Sequence, residues 1–187
     1  MRAQTLQPAA GWGWILTGFA IFRRNPLLLG MLVMTYWITI VFLNVLPIIG
    51  ALAASLVIPG LSVGLMQAAR QVERGQPVGI QTLFGSMKEN SRTLLALGAL
   101  YLCCTLGILG LSTLLDGGDM FRFMMAGNRA ERAAVEDADF VLPALFVMLA
   151  MLPVMMAYWF APVLAAWHRL PLGKALFFSF IACWINW

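Results

Sequence analysis

The chain has 187 residues, of which 61% are hydrophobic and 11% charged, with a formal net charge of +4. Soluble domains hold about 45–50% apolar and about 25% charged residues, and one core in a chain of this length cannot bury the excess, so a soluble globular fold is excluded. The positive charge flanks apolar stretches without a basic stripe or stacking platform, which points to anionic lipid headgroups and away from nucleic acid.

Residues 26–69, 93–115 and 140–167 contain no Asp, Glu, Lys, Arg or His. Each charge at the centre of a bilayer costs roughly 2.5–3.5 kcal/mol on insertion scales, so such stretches are expected in lipid. Residues 1–10 lack the regions of a secretory signal, and Arg23-Arg24 lacks the flanks of a twin-arginine signal. The first span is expected over 27–46, with Pro26 in the first helical turn, where its missing N–H is not needed. Asn44 and Pro47 mark a short turn, so the second span, 48–69, returns as an antiparallel hairpin. The third span is 93–115. The fourth, 140–167, would be about 42 Å long if straight. That exceeds the hydrocarbon thickness of about 30 Å, so kinking is expected at Pro153 and Pro162.

Charge asymmetry orients the spans. Arg2, Arg23 and Arg24 precede the first, and Arg70, Arg74, Lys88 and Arg92 lie between the second and third with Glu73 and Glu89. Arg169 and Lys174 follow the fourth, whereas residues 116–139 hold six acids against Arg122, Arg129 and Arg132. The positive-inside rule then places the N-terminus and the 70–92 loop in the cytoplasm and the 116–139 loop in the periplasm.

A repeat precedes the spans. Phe stands six residues ahead of Asn in Phe19…Asn25, Phe84…Asn90 and Phe180…Asn186. Trp12, Ile15, Leu16 and Phe19, like Ile80, Leu83, Phe84 and Met87, follow the i, i+3, i+4, i+7 spacing of an amphipathic helix. The expected unit is an amphipathic helix in the cytoplasmic interface, an Asn that caps or turns the chain, and a transmembrane hairpin. The fold class is thus an all-α polytopic transmembrane bundle forming one domain over 1–187. Repeat one covers about 9–70, repeat two about 77–169, and a third begins at about 171–187. The pattern predicts a third hairpin beyond this sequence, giving six spans; the alternative is a four-span protein ending in one amphipathic helix.

Gly11-Trp-Gly-Trp-Ile15, Gly18-Phe19…Phe22-Arg-Arg-Asn-Pro26, Phe160-Ala-Pro162…Ala166-Trp-His-Arg169 and Lys174-Ala…Ser179-Phe resemble an uncharacterised family of mainly betaproteobacterial six-helix inner-membrane proteins. More distantly they resemble the membrane regions attached to some glycerophosphodiester phosphodiesterases. The resemblance implies an inner-membrane location and a third hairpin. It brings no activity and no catalytic residue.

Candidate chemistry is sparse. His168, the sole histidine, stands at the end of the fourth span and reads as an interfacial anchor, with Trp12, Trp14, Arg23, Arg24, Trp167, Arg169 and Trp184. Cys103, Cys104 and Cys183 read as buried, inert packing residues. Met148, Met151 and Met155 share a helix face, with Met156 beside them. This spacing suits packing better than a Cu(I) path, since no soft-ligand cluster accompanies it. Gly60 and Gly64 form a GxxxG, and Gly50 and Ala54 a similar pair, so these four are the expected helix contacts, inside the bundle or with another subunit. Asn44, Gln67, Thr35, Thr39, Tyr36, Tyr101 and Tyr158 are expected to make interhelical hydrogen bonds. No cofactor or metal is implied. The expected function is a non-enzymatic accessory, structural or assembly subunit beside a larger inner-membrane complex, with membrane lipids as further partners. The alternative is a lipid or small-molecule transporter without intramembrane charge coupling.

Overall fold

The structure, a computed structural model, describes residues 5, 9–46, 49–126 and 141–186. These residues form α-helices and no strand: α1 (Ala9–Arg24), α2 (Pro26–Asn44), α3 (Ile49–Glu73), α4 (Ile80–Glu89), α5 (Ser91–Asp116), α6 (Asp119–Ala126), α7 (Val141–Tyr158), α8 (Ala161–His168) and α9 (Leu172–Ile185). Four stretches are long and apolar enough to cross a membrane: α2, α3, α5, and α7 with α8 together. The protein is an all-α polytopic membrane protein.

Helix α2 begins where the sequence supplies a start. The Asn25 side chain accepts the Leu28 N–H at 3.3 Å, and Pro26 occupies the first turn of α2. The α2–α3 hairpin is close-set, because a Cβ on Gly50 would overlap the Leu43 carbonyl. Helix α3 is the hub, packing against α1, α2, α4, α5 and α8. One side of it builds a cluster of Leu61 and Ala68 with Leu32 of α2 and Leu83 of α4. Val63 joins Leu94 and Leu97 of α5, Ala161 and Ala165 of α8, and Ala175 of α9. In lipid such contacts are held by close packing, since the surrounding chains are as apolar as Leu. Gly98 permits the α3–α5 approach, as a Cβ there would fall against the Ser55 carbonyl and the Leu56 backbone.

The prolines act differently. Pro59 lies buried inside an uninterrupted α3, and Pro153 lies inside α7. Only at Pro162 does the helix break, at residues 159–160. Proline there cannot donate to the Tyr158 carbonyl, and its ring crowds that carbonyl. The bond two positions earlier, from Phe160 N–H to the Met156 carbonyl, is opened as well. The Ser179 hydroxyl of α9 inserts into it, accepting the Phe160 N–H at 2.9 Å and donating to the Met156 carbonyl at 2.8 Å. Ser179 is fully buried.

The short helices α4 and α9 pack against the long ones. Helix α4 runs back along the end of α3, with Thr82 bonded to Gln71, Leu83 at Gly64 and Met87 at Gly60. Helix α9 meets α7 and α8 in the same manner, Ala175 packing with Ala161 and Ala165. A small pair four residues apart therefore receives a short helix twice. Helix α1, by contrast, has no buried residue.

At the other end, α5 stops at Gly117, whose φ of 65° suits glycine. The Asp116 carboxylate accepts the Gly118 and Met120 N–H groups at 2.9 and 2.7 Å, turning the chain into α6. Met120 is buried. Residues 127–140, which hold four of the six acids of this loop, lie outside the described residues.

Candidate functional site

Three long-range contacts gather the basic segments at one end of the bundle. Arg24 donates to the Glu73 carbonyl at 2.6 Å, tying α1 to α3. The Arg70 guanidinium lies 4.7 Å from the Trp167 ring centroid, tying α3 to α8. Asn90 donates to the Ala166 carbonyl at 3.2 Å, tying the α4–α5 junction to α8. Asn25 caps its helix, whereas Asn90 makes no side-chain cap and spends its amide on a neighbouring helix end.

Beneath these contacts lies a cavity of about 190 Å³ lined by Gln67, Gln71, Thr82, Asn90, Trp167 and the small residues Gly85 and Ala166, with Val63 at its floor. Thr82 donates to the Gln71 amide oxygen at 3.2 Å and accepts the Gly79 N–H at 3.4 Å. The volume and the amide and hydroxyl lining suit a few waters or a small polar group. The i, i+4 pair of Gln67 and Gln71 was the available signal, but its partners come from α4 and α8, distant in sequence.

The expected helix-contact residues are used inside the chain. A Cβ on Gly60 would collide with the Met87 side chain, and one on Gly64 with the Leu83 backbone. Gly50 faces the α2 backbone, and Ala54 is buried. The Gly60–Gly64 face is therefore filled by α4. Open small residues occur on α5, where Cys103, Gly107 and Gly110 are exposed on one side and nothing lies within 4 Å of a Cβ at either glycine.

Of the anchor residues, Trp12, Trp14 and Trp184 are exposed, as are Arg23, Arg24, His168 and Arg169. Trp167 is held under Arg70. Arg169 ends α8 with a φ of 50°, uncommon for a residue with a side chain. Met148 and Met155 are exposed, so the methionine stripe faces outward. Two expectations are corrected. Cys103 is exposed, on a side of α5 that no other described residue covers. Thr35, Thr39 and Asn44 do not bond between helices. Their side chains donate to Met31, Thr35 and Ile40 carbonyls one turn back, the nearest acceptors on their own helix. Tyr101 and Tyr158 meet edge to face at 5.3 Å. Among the described residues, no three His, Cys, Asp or Glu side chains gather as a metal site requires.

The chain matches no family model and no solved structure. It is 38% identical over 193 aligned positions to a probable inner membrane protein of Burkholderia thailandensis. That alignment covers 100% of this chain and 71% of the relative. The likeness to glycerophosphodiester phosphodiesterase membrane regions rests on the sequence pattern alone. At this identity and coverage, the chain belongs to the inner-membrane protein family of its Burkholderia relative.

Proposed function

We propose that this protein is a non-enzymatic accessory or assembly subunit that seats a transmembrane helix of a larger inner-membrane complex on the outer side of α5. The carrying observation is the contrast among glycines. Gly60, Gly64 and Gly98 each abut another helix, whereas Gly107 and Gly110 face open space beside exposed Cys103. Small residues let helix backbones approach closely, which is how helices associate in lipid. The N-terminus and the basic end face the cytoplasm in this reading, with the 116–139 loop periplasmic.

The test is co-purification of the full-length protein from its own membrane in mild detergent. Gly107→Leu and Gly110→Leu are expected to release the partner without lowering the thermal stability of the isolated chain. A partner retained at full stoichiometry in both variants would remove α5 as the contact.

A second reading, a lipid or small-molecule transporter without intramembrane charge coupling, draws support from the cavity lined by Gln67, Gln71, Thr82 and Asn90. Tight lipid retention together with transport that survives collapse of the proton gradient would favour it.

A further inference from the structure

Beside the polar cavity, with Trp167 as their shared wall, a second hollow of about 510 Å³ opens between α1, α3 and α8. It is lined by Ile21, Met66, Ala69, Arg70, Glu73, Trp167 and His168. Arg70 is half-buried, and its guanidinium carbon lies over the Trp167 ring, 4.7 Å from the centroid. Among the described residues its guanidinium makes no hydrogen bond or salt bridge, so its in-plane N–H edge is unspent. The same holds for the His168 ring. Glu73 is the one acid in the lining. It is exposed, and the Arg24 guanidinium bonded to its carbonyl brings a further positive charge to the rim.

We propose that this hollow binds the headgroup of an anionic phospholipid, with the phosphate on Arg70 and His168 and the acyl chains leaving along Ile21 and Met66. A guanidinium presents forked donors in one plane, the geometry that phosphate oxygens accept. The cation–π contact with Trp167 also limits where the charge can move before the anion arrives. The apolar side of the hollow distinguishes a lipid from a soluble anion. Met66 is 46% exposed on a helix whose other side is the buried hub of the bundle. A basic recess between membrane helices is a recurrent headgroup site. The proposal does not depend on the α5 contact, and variants at Arg70 leave that face intact.

The experiment is native mass spectrometry of the full chain in nanodiscs containing equal amounts of phosphatidylglycerol and phosphatidylcholine. The wild type is expected to retain one phosphatidylglycerol per chain, preferred about tenfold, which corresponds to about 1.4 kcal/mol. Arg70→Gln and His168→Gln are expected to reduce that preference, Arg70→Gln to near unity. Arg92→Gln, at an exposed position on α5, should leave it unchanged. Should Arg70→Gln not fold, Arg70→Lys replaces it and is expected to weaken the preference several-fold by losing the fork. Equal retention of both lipids by the wild type overturns the proposal, as does an undiminished preference in the folded Arg70 variant. Displacement of the lipid by millimolar glycerol phosphate or inorganic phosphate would assign the site to a soluble anion and equally overturn it.

Discussion

Ser179 of α9 accepts the backbone N–H of Phe160 at 2.9 Å, completing a helix that Pro162 interrupts. The same hydroxyl donates to the Met156 carbonyl, so one buried side chain bridges both halves of an opened helical bond. A hydroxyl in this position does what water would do at a kink nearer solvent. It also fixes α9 against the fourth span, linking a local backbone defect to the tertiary arrangement.

Removing that hydroxyl leaves the Phe160 N–H and the Met156 carbonyl unpaired at a half-buried site. Ser179→Ala is therefore expected to cost about 1–3 kcal/mol, read as a lowered unfolding temperature in detergent. Pro162→Ala should diminish the cost, because a continuous helix would pair Phe160 with Met156 again. Equal losses in both backgrounds would show that Ser179 contributes by packing alone.

The two classes of glycine make a paired prediction. Gly64→Ala sets a methyl against the Leu83 backbone, which cannot yield as a flexible side chain does. Overpacking of this kind costs about 1–3 kcal/mol. Gly107→Ala meets nothing and gains helix propensity, so it should leave the isolated chain as stable or slightly more so. Reversible unfolding in mixed micelles compares the two, and equal effects would contradict the assigned packing.

The two asparagines should differ in kind. Asn25→Ala removes an N-cap, worth about 0.5–2 kcal/mol, and frays the start of α2. Asn90→Ala removes an interhelical bond to Ala166, and such bonds average about 0.6 kcal/mol in membranes. Hydrogen exchange around Leu28 should rise in the first variant only. In the second it should rise near the end of α8.

Orientation is open to labelling. With the native cysteines replaced, Asp119→Cys should react with an impermeant maleimide added outside spheroplasts. Gln76→Cys should react only after lysis. The reverse pattern would invert the topology.

The spans were legible because a charge in the bilayer is costly, so the charge-free stretches coincide with α2, α3, α5 and the α7–α8 pair. The helix starts at Pro26 and beside Asn25 were legible from capping chemistry. What sequence could not show was the choice between partners. Pro59, Pro153 and Pro162 look alike in sequence, and only Pro162 breaks its helix, where Ser179, 17 positions later, bridges the gap. GxxxG spacing marked Gly60 and Gly64 as a contact but not that α4 would occupy it. Gly107 and Gly110, three apart without that spacing, escaped notice because their distinction is what they lack on the other side. The lining of the polar cavity comes from α3, α4 and α8, so no local pattern announces it.

The most direct measurement of the central claim is native mass spectrometry of the full-length protein extracted gently from its own membrane, wild type beside Gly110→Leu. The account predicts other protein subunits at a fixed ratio in the wild type and their loss in the variant. A wild-type protein that leaves alone, or only as copies of itself with bound lipid, would contradict it.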